Sequence, residues 1–261
     1  SFIAVAVLTG NLLHVWPPSI LPWLVLGMLG LIVVACAALP DLRVPRRPDL
    51  PPAALAPLLR APAFLLFLVA CALNQAAHTL YYGFATLHWQ AAGLSDPLIG
   101  LLWSEGVVAE IVLFALSGPV LARLGPVGLV ACAGLAGTVR WLVLGATTDP
   151  WALALVQGLH AATFGCAHLG AMHFIQRAVP AGLSARAQGI YAAVAVGLAP
   201  GLMMMAAGPL FQALGGRAFW VMAGLAALSA AASWGVTRRW DGGALVGRGT
   251  PPPVAPPPDG L

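Results

Sequence analysis

Long apolar runs alternate with short polar breaks along most of the chain. An α-helix needs about 20 consecutive apolar residues to cross the hydrocarbon core of a bilayer. Pro and Gly at the breaks stop helices and build short connections. The runs cover about residues 1–16, 20–39, 62–90, 98–121, 127–146, 150–176, 186–213 and 217–237. This pattern predicts an all-α polytopic membrane protein with about eight transmembrane helices.

The composition leads to the same fold class. Hydrophobic residues make up 60% of the chain and charged residues only 8%, with a mean hydropathy of +0.91. A soluble domain typically contains about 25% charged residues. We therefore expect the lipid bilayer to be the main partner of the surface. The net charge of +4 comes from arginines in loops, so it predicts no nucleic-acid partner.

The arginines predict the orientation. All twelve basic residues are arginines, and ten of them lie in the loops and tail on one side of the predicted membrane. The opposite side holds Arg217, and Arg140 lies inside a predicted span. Positively charged loops stay in the cytoplasm. The loop at 40–60 and the C-terminus are therefore expected there.

Changes in composition divide the chain into segments. The loop at 40–60 is basic and rich in proline, as expected of a linker between helical bundles. It separates a two-helix remnant at 1–39 from a six-helix bundle at 61–238. Pro and Gly dominate 239–261, which predicts a disordered tail. The first run has no charged start and no small-residue cleavage site, which is typical of a helix entered partway, so we expect upstream helices to be missing.

Five of the ionisable side chains inside the apolar runs are the first candidates for function: Glu105, Glu110, Arg140, His160 and His168. A charge at the centre of a bilayer costs about 2.5–3.5 kcal/mol, so such residues usually pair or serve a function. Counting residues from the helix ends places Glu105 and Arg140 at one depth, as a candidate ion pair. Glu110 and His160 lie near the midplane. A structural ion pair is the alternative, but the additional acid favours a proton-handling site made of Glu110, Glu105, Arg140 and His160.

A second polar group lies on the run at 62–90. Asn74, His78 and either Tyr81 or Tyr82 are spaced to share one helical stripe. An amide, an imidazole and a phenol on one stripe suit a polar or aromatic solute; hydrogen bonding between helices is the alternative. The predicted solute-binding residues are Asn74, His78, Tyr81, Tyr82, Trp103 and His168.

The order of several motifs is similar to a known family. The chain resembles the C-terminal half of the phenylpropionate permease-like branch of the major facilitator superfamily, a relative of the lactose permease group. The resemblance covers about 1–238 and implies helices 5–12 of a twelve-helix fold, with 1–39 as the last two helices of an N-terminal bundle. The motifs are Tyr81-Tyr82-Gly83-Phe84, Ile99-Gly100-Leu101-Leu102-Trp103 with Glu105 and Glu110, Arg140-Trp141, and Gln157-Gly158-Leu159-His160 with Phe164-Gly165 and His168.

The resemblance implies secondary active transport by alternating access. The expected solute is a small organic molecule such as an aromatic acid, a sugar or a nucleoside, carried in symport with protons across a bacterial cytoplasmic (inner) membrane. Expected partners are the bilayer, the solute, protons and the missing N-terminal helices of the same carrier, with no cofactor and no metal. Glu110 and Glu105 match the acidic positions of the family, Arg140 a basic one and His160 a polar one. The acid that the lactose permease group carries one turn after this His is absent, since Phe164 stands there.

Two other classes of function are compatible with a polytopic helical chain. An intramembrane metal-dependent enzyme would use His160, His168 and His173. Their i, i+8, i+13 spacing argues against that class, because compact helical metal sites favour i, i+4. A non-transporting membrane sensor is the other alternative. We expect a carrier and not an enzyme.

Overall fold

The structure is a computed structural model that describes residues 16–40 and 55–246, together with Thr9 and Leu12. Every regular element in these ranges is helical. The predicted first span at 1–16 lies almost wholly outside the described residues. So do most of the loop at 40–60 and the end of the tail at 239–261.

Short connections join the helices in chain order. Two of these connections are π-helical turns: Ala161–Cys166 joins α7 to α8, and Ala192–Leu198 joins α9 to α10. The helices are α1 (Leu21–Ala37), α2 (Ala56–Arg60), α3 (Pro62–Ala76), α4 (Thr79–Ala91), α5 (Asp96–Ala115), α6 (Ser117–Ala146), α7 (Pro150–Gln157), α8 (Ala167–Ala178), α9 (Ala181–Tyr191), α10 (Ala199–Leu214) and α11 (Ala218–Thr237).

Five helical stretches within the described ranges are long and apolar enough to cross a membrane. They are Pro62–Ala91, Asp96–Ala115, Ser117–Ala146, Pro150–Ala178 and Ala181–Thr237. The last has 57 residues, which would measure about 85 Å as one straight helix. It comprises α9, the second π-helical turn, α10 and α11, and a 3₁₀ turn at Gly215–Arg217 separates α10 from α11. The predicted all-α polytopic fold is confirmed, and α1 is a shorter apolar helix.

Two predicted boundaries were wrong. The seventh apolar run suggested a helix from about residue 186, but α9 begins at Ala181. The fourth apolar run suggested a helix to about residue 121, but α5 ends at Ala115. The helical stretch α6 begins at Ser117 and changes direction at Gly125, whose φ of 64° is in the left-handed region that glycine adopts without a Cβ clash. Pro126 follows this kink at the start of the next helical segment, where a backbone N–H would have no intrahelical acceptor, so proline loses no hydrogen bond there. The uncharged residues at 117–121, which continue the apolar run, hid this early end.

Apolar side chains form two large clusters on either side of a polar layer. Phe67 and Phe174 stack at 4.1 Å in the first cluster, and Trp141 and Phe219 belong to the second. Along α3 and α4 the chain passes from the first cluster into the second, and Asn74 lies between them. The helix α11 packs along α3 and α6 and contributes to both clusters. The candidate site lies in this polar layer.

Candidate functional site

Arg140, on α6, is the centre of the buried polar layer. It is fully buried, and its guanidinium lies 4.4 Å from the ring centre of Tyr81 and 4.6 Å from that of Trp141. A cation over an aromatic face is stabilised by the ring quadrupole. The guanidinium has only N–H donors and stays protonated, so its hydrogen-bond partners must accept. Arg140 is therefore a permanent buried cation that organises acceptors around it.

Three side chains on the next transmembrane stretch accept from Arg140. Nη2 donates to Gln157 Oε1 at 2.7 Å, and Nη1 donates to Thr163 Oγ1 at 3.1 Å. Nη1 also lies 3.2 Å from Nδ1 of His160. We call Tyr81, Arg140, Gln157, His160 and Thr163 the Arg140 network. It connects α4, α6 and the stretch Pro150–Ala178.

Gln157 holds Tyr81 within this network and connects the network to one further helix, α5. Its amide nitrogen donates to the hydroxyl of Tyr81 at 2.8 Å and to the Leu102 carbonyl at 3.2 Å. With its oxygen bonded to Arg140, both ends of the buried amide are satisfied. Gln157 and Thr163 were not among the predicted site residues. A glutamine inside an apolar run was the signal available for Gln157.

The contact with Arg140 determines the tautomer of His160. Since the guanidinium can only donate, Nδ1 of His160 must accept, and the hydrogen of the neutral ring is on Nε2. Nε2 lies 3.8 Å from Oε2 of Glu110, too far for a direct hydrogen bond but close enough for electrostatic attraction. Arg140, His160 and Glu110 thus form a chain from a permanent cation to a carboxyl group.

A glycine allows α5 to approach His160. A Cβ atom placed on Gly106 would lie 3.1 Å from the Cβ and 3.2 Å from the Cγ of His160. Glu110 follows one helical turn later on the same helix, so the close approach at Gly106 brings its carboxyl toward the imidazole. Glu110 is partly exposed while Arg140 is buried. The carboxyl is thus the accessible end of the chain of groups.

The predicted Glu105–Arg140 ion pair is not formed. In the described part of the chain Arg140 makes its polar contacts with Gln157, His160 and Thr163, and none with an acid. The half-buried carboxyl of Glu105 instead lies near Gly158 at the end of α7. Estimating depth along each helix could not show that Gln157 would occupy the space beside the guanidinium.

The predicted solute-binding residues fall into two groups. Asn74, His78 and Tyr81 are 1–2% exposed. Asn74 donates to the Thr163 carbonyl at 3.0 Å, and Nδ1 of His78 lies 2.8 Å from the Asn74 carbonyl. These three residues therefore form hydrogen bonds within and between helices, which was the alternative to solute binding.

Tyr82 and Trp103 are more exposed, and the Trp103 ring also packs 4.3 Å from that of Tyr81. Tyr82 is 50% exposed and stacks on Trp103 with ring centres 6.1 Å apart. The half-buried indole of Trp103 donates to Thr86 Oγ1 at 3.1 Å, which fixes the ring. The pair offers an aromatic surface of defined orientation.

His168, the last predicted solute-binding residue, is exposed and lines a cavity of about 500 Å³. That volume is within the usual range for small-molecule sites. The wall combines amides and an imidazole with apolar side chains and includes both π-helical turns. It is formed by Gln75, Phe164, His168, Met172, Gln188, Gly189, Tyr191, Ala192 and Val196.

The geometry of the described residues does not favour the metal-dependent enzyme. Within the described ranges, no three His, Cys, Asp or Glu side chains are grouped as metal ligands would be. His160 contacts Arg140 and Glu110, while His168 lines the cavity. The three histidines of that hypothesis do not form one site.

Comparisons with known proteins agree with the resemblance found in the sequence. The model of the family described as "MFS_1 like family" matches residues 1–222. A probable 3-phenylpropionic acid transporter from Escherichia coli (strain K12) is 46% identical over 158 residues, which are 60% of this chain and 41% of that protein. The chain thus spans about two fifths of the length of this relative. Similarity to a transporter supports the expectation that the chain is not an enzyme.

Proposed function

This chain belongs to the MFS_1 like family, and we propose that it forms part of a proton-coupled symporter for a small aromatic carboxylate. The transport mechanism we propose is alternating access, with two helical bundles moving about a solute site near the middle of the membrane. One observation carries the proposal: a buried permanent cation, Arg140, reaches a partly exposed carboxyl group, Glu110, through a neutral imidazole.

This chain of groups provides a physical link between proton and solute. While Glu110 is ionised, its negative charge compensates Arg140 across His160. Protonation of Glu110 removes that compensation, and an uncompensated charge in a low-dielectric interior is costly. A solute carboxylate near Nε2 of His160 would restore the balance. Proton and anion therefore bind together and leave together.

Two observations support an aromatic acid as the solute. The relative with 46% identity is described as a probable 3-phenylpropionic acid transporter. In this chain Tyr82 and Trp103 form a stacked, partly exposed pair, and aromatic rings gain about 0.5–1.5 kcal/mol beyond area burial when they stack. An aromatic carboxylate would match both the rings and the cation.

The rest of the predicted organisation belongs to the same proposal. We assign 61–238 to the C-terminal bundle, 40–60 to the central cytoplasmic loop, 1–39 to the last helices of an N-terminal bundle and 239–261 to a cytoplasmic tail. The arginine distribution supports this orientation in a bacterial inner membrane. The matched residues are 41% of the relative's length, so we propose that further helices of the carrier complete the solute site.

Uptake into membrane vesicles containing the full-length gene product tests the proposal. An imposed inward proton gradient is expected to drive accumulation of labelled 3-phenylpropionate. Glu110→Gln should abolish accumulation but retain exchange of internal for external solute, because a neutral amide imitates the protonated acid. Accumulation by Glu110→Gln equal to that of the unaltered carrier would refute the coupling role.

Competition identifies the solute class in the same vesicles. Unlabelled aromatic carboxylates should inhibit uptake, while a neutral aromatic amide of the same size should not. Inhibition by a sugar or a nucleoside, with none by aromatic carboxylates, would assign the carrier to another solute.

A further inference from the structure

Two irregular helical turns meet in the polar layer. The first is the break between α3 and α4, where the His78 N–H donates to the Gln75 carbonyl at 3.1 Å. In an uninterrupted α-helix it would donate to Asn74. The ring Nδ1 of His78 lies 2.8 Å from the Asn74 carbonyl and supplies the missing donor.

The second irregular turn is the π-helical segment Ala161–Cys166. An α-helix would pair the Thr163 carbonyl with the N–H of Ala167, but that N–H donates to the Phe164 carbonyl. The Thr163 carbonyl is buried and accepts from Asn74 Nδ2 at 3.0 Å. A side chain of one irregular turn thus satisfies the backbone of the other.

The π-helical turn controls what faces Arg140. Thr163 Oγ1 donates to the His160 carbonyl at 3.2 Å and accepts from Arg140 Nη1 at 3.1 Å. The same Nη1 lies 3.2 Å from Nδ1 of His160, and the Phe164 ring stacks on that imidazole at 5.6 Å. Nδ1 of His160 and Oγ1 of Thr163 can both bond to Nη1 of Arg140 only while the turn keeps its π-helical hydrogen-bond pattern. π-Helical turns are found frequently at functional sites.

We propose that Asn74 is a positioning residue, whose amide holds the π-helical turn in the register that presents Nδ1 of His160 and Oγ1 of Thr163 to Arg140. The inference rests on the proposed function, since the consequence it predicts is loss of proton coupling. The Asn74 amide does not titrate and does not bind the transported proton. The charged and titratable groups around the imidazole are Arg140 on α6, Glu110 on α5, and His78 and Tyr81 beside the break between α3 and α4.

An ordinary bond between helices is the competing explanation, and the chain offers a matched control for it. Ser229 on α11 is fully buried and donates to the Ala70 carbonyl of α3 at 2.7 Å. This bond, like that of Asn74, joins a side chain to a backbone carbonyl on another helix. Within the described residues, Ser229 makes no hydrogen bond to the Arg140 network. Ser229→Ala therefore removes an interhelical bond without altering the π-helical turn.

Hydrogen–deuterium exchange of the full-length carrier in lipid nanodiscs tests the structural part. Asn74→Ala should accelerate exchange in peptides covering 160–168 relative to the unaltered carrier, while Ser229→Ala should not. Asn74→Asp, which keeps the shape but replaces the amide nitrogen by oxygen, serves if Asn74→Ala does not fold. Unchanged exchange at 160–168 in the folded Asn74 variant would overturn the proposal.

The functional part uses the ratio of proton-driven accumulation to solute exchange. Displacements of about 1 Å at a reacting group reduce rates up to about a hundredfold. Asn74→Ala is expected to lower the ratio by about tenfold to a hundredfold and Ser229→Ala to leave it unchanged. Asn74→Gln, which retains the amide donor, should recover part of the loss. An equal fall in both alanine variants would show a merely structural role and overturn the inference.

The experiments distinguish failure of the proposed transport function from failure of the proposed role of Asn74. A full-length carrier without proton-driven uptake would refute the proposed function. The hydrogen-exchange comparison would still decide whether Asn74 holds the π-helical turn, because it does not depend on transport.

Discussion

Tyr81 and Tyr82 are neighbours in the chain but belong to different regions of the molecule. Tyr81 is 2% exposed, lies under the Arg140 guanidinium and accepts a hydrogen bond from Gln157. Tyr82 is 50% exposed and stacks on Trp103. Identical side chains one position apart point in directions about 100° apart around a helix. One is held in a closed network and the other is available to a solute.

The difference extends to the surrounding residues. In the interior region Gln157 also bonds to two other helices and Thr163 to the His160 carbonyl, so a change at one residue affects its neighbours. In the exposed region Tyr82, Trp103, Glu105 and His168 make fewer polar contacts within the described residues. Substitutions should therefore affect stability in the first region and solute affinity in the second.

The largest effect is expected at Arg140. Arg140→Gln would deprive Gln157, His160 and Thr163 of a donor in a buried site, and each unsatisfied group costs about 1–3 kcal/mol. A loss of several kcal/mol in stability and complete loss of uptake are the expected outcomes. Thermal unfolding in detergent and vesicle uptake measure them.

Arg140→Lys is the matched variant, since it keeps the charge but cannot place two nitrogens against three acceptors. It should fold better than Arg140→Gln and still fail to accumulate solute. Normal uptake by either variant would remove Arg140 from the centre of the mechanism.

An intermediate effect is expected at the two tyrosines, with opposite signatures. Tyr81→Phe removes the hydroxyl that accepts from Gln157, which should lower stability by about 1 kcal/mol. Tyr82→Ala should leave stability nearly unchanged and raise the KM for an aromatic carboxylate about tenfold, through loss of a stacking surface. Thermal unfolding and uptake kinetics separate the two effects. If Tyr82→Ala unfolds more readily than Tyr81→Phe, the division into two regions is wrong.

The smallest effect is expected at Glu105. Its half-buried carboxyl has no contact with Arg140, so Glu105→Gln should change stability by less than about 0.5 kcal/mol. Proton-driven accumulation should persist in this variant and disappear in Glu110→Gln. Should Glu105→Gln abolish accumulation while Glu110→Gln does not, the roles of the two acids must be exchanged.

Much of the architecture followed from the chain itself. Apolar runs near 20 residues, broken by Pro and Gly, predicted the helical stretches from residue 62 to 237 within a few residues, apart from the end of α5 and the start of α9. The cost of burying charge identified Arg140, His160 and Glu110, which the fold brings together. These predictions depend on local properties, namely helix length, hydrophobicity and charge.

The pairing within the site could not be read from the chain. Depth along a helix suggested Glu105 for Arg140, but the direction of each side chain depends on helix rotation and on local irregularities. The π-helical turn shifts the helical register after His160. Asn74, which lies 89 positions before Thr163 in the chain, stabilises this turn. Neither effect leaves a periodic signal in the sequence.

The sequence by itself determined that this chain enters the membrane, where its helices lie and which few ionisable groups they bury, because each depends on transfer free energies that add along a segment. Only the tertiary structure decided that Gln157 and not Glu105 bonds to Arg140 and that His160 lies between the cation and the acid. It also decided that the Asn74 amide donates to a backbone carbonyl of another helix. Those choices depend on hydrogen-bond geometry, in which a few tenths of an ångström and the rotation of a helix select one partner among several at the same depth.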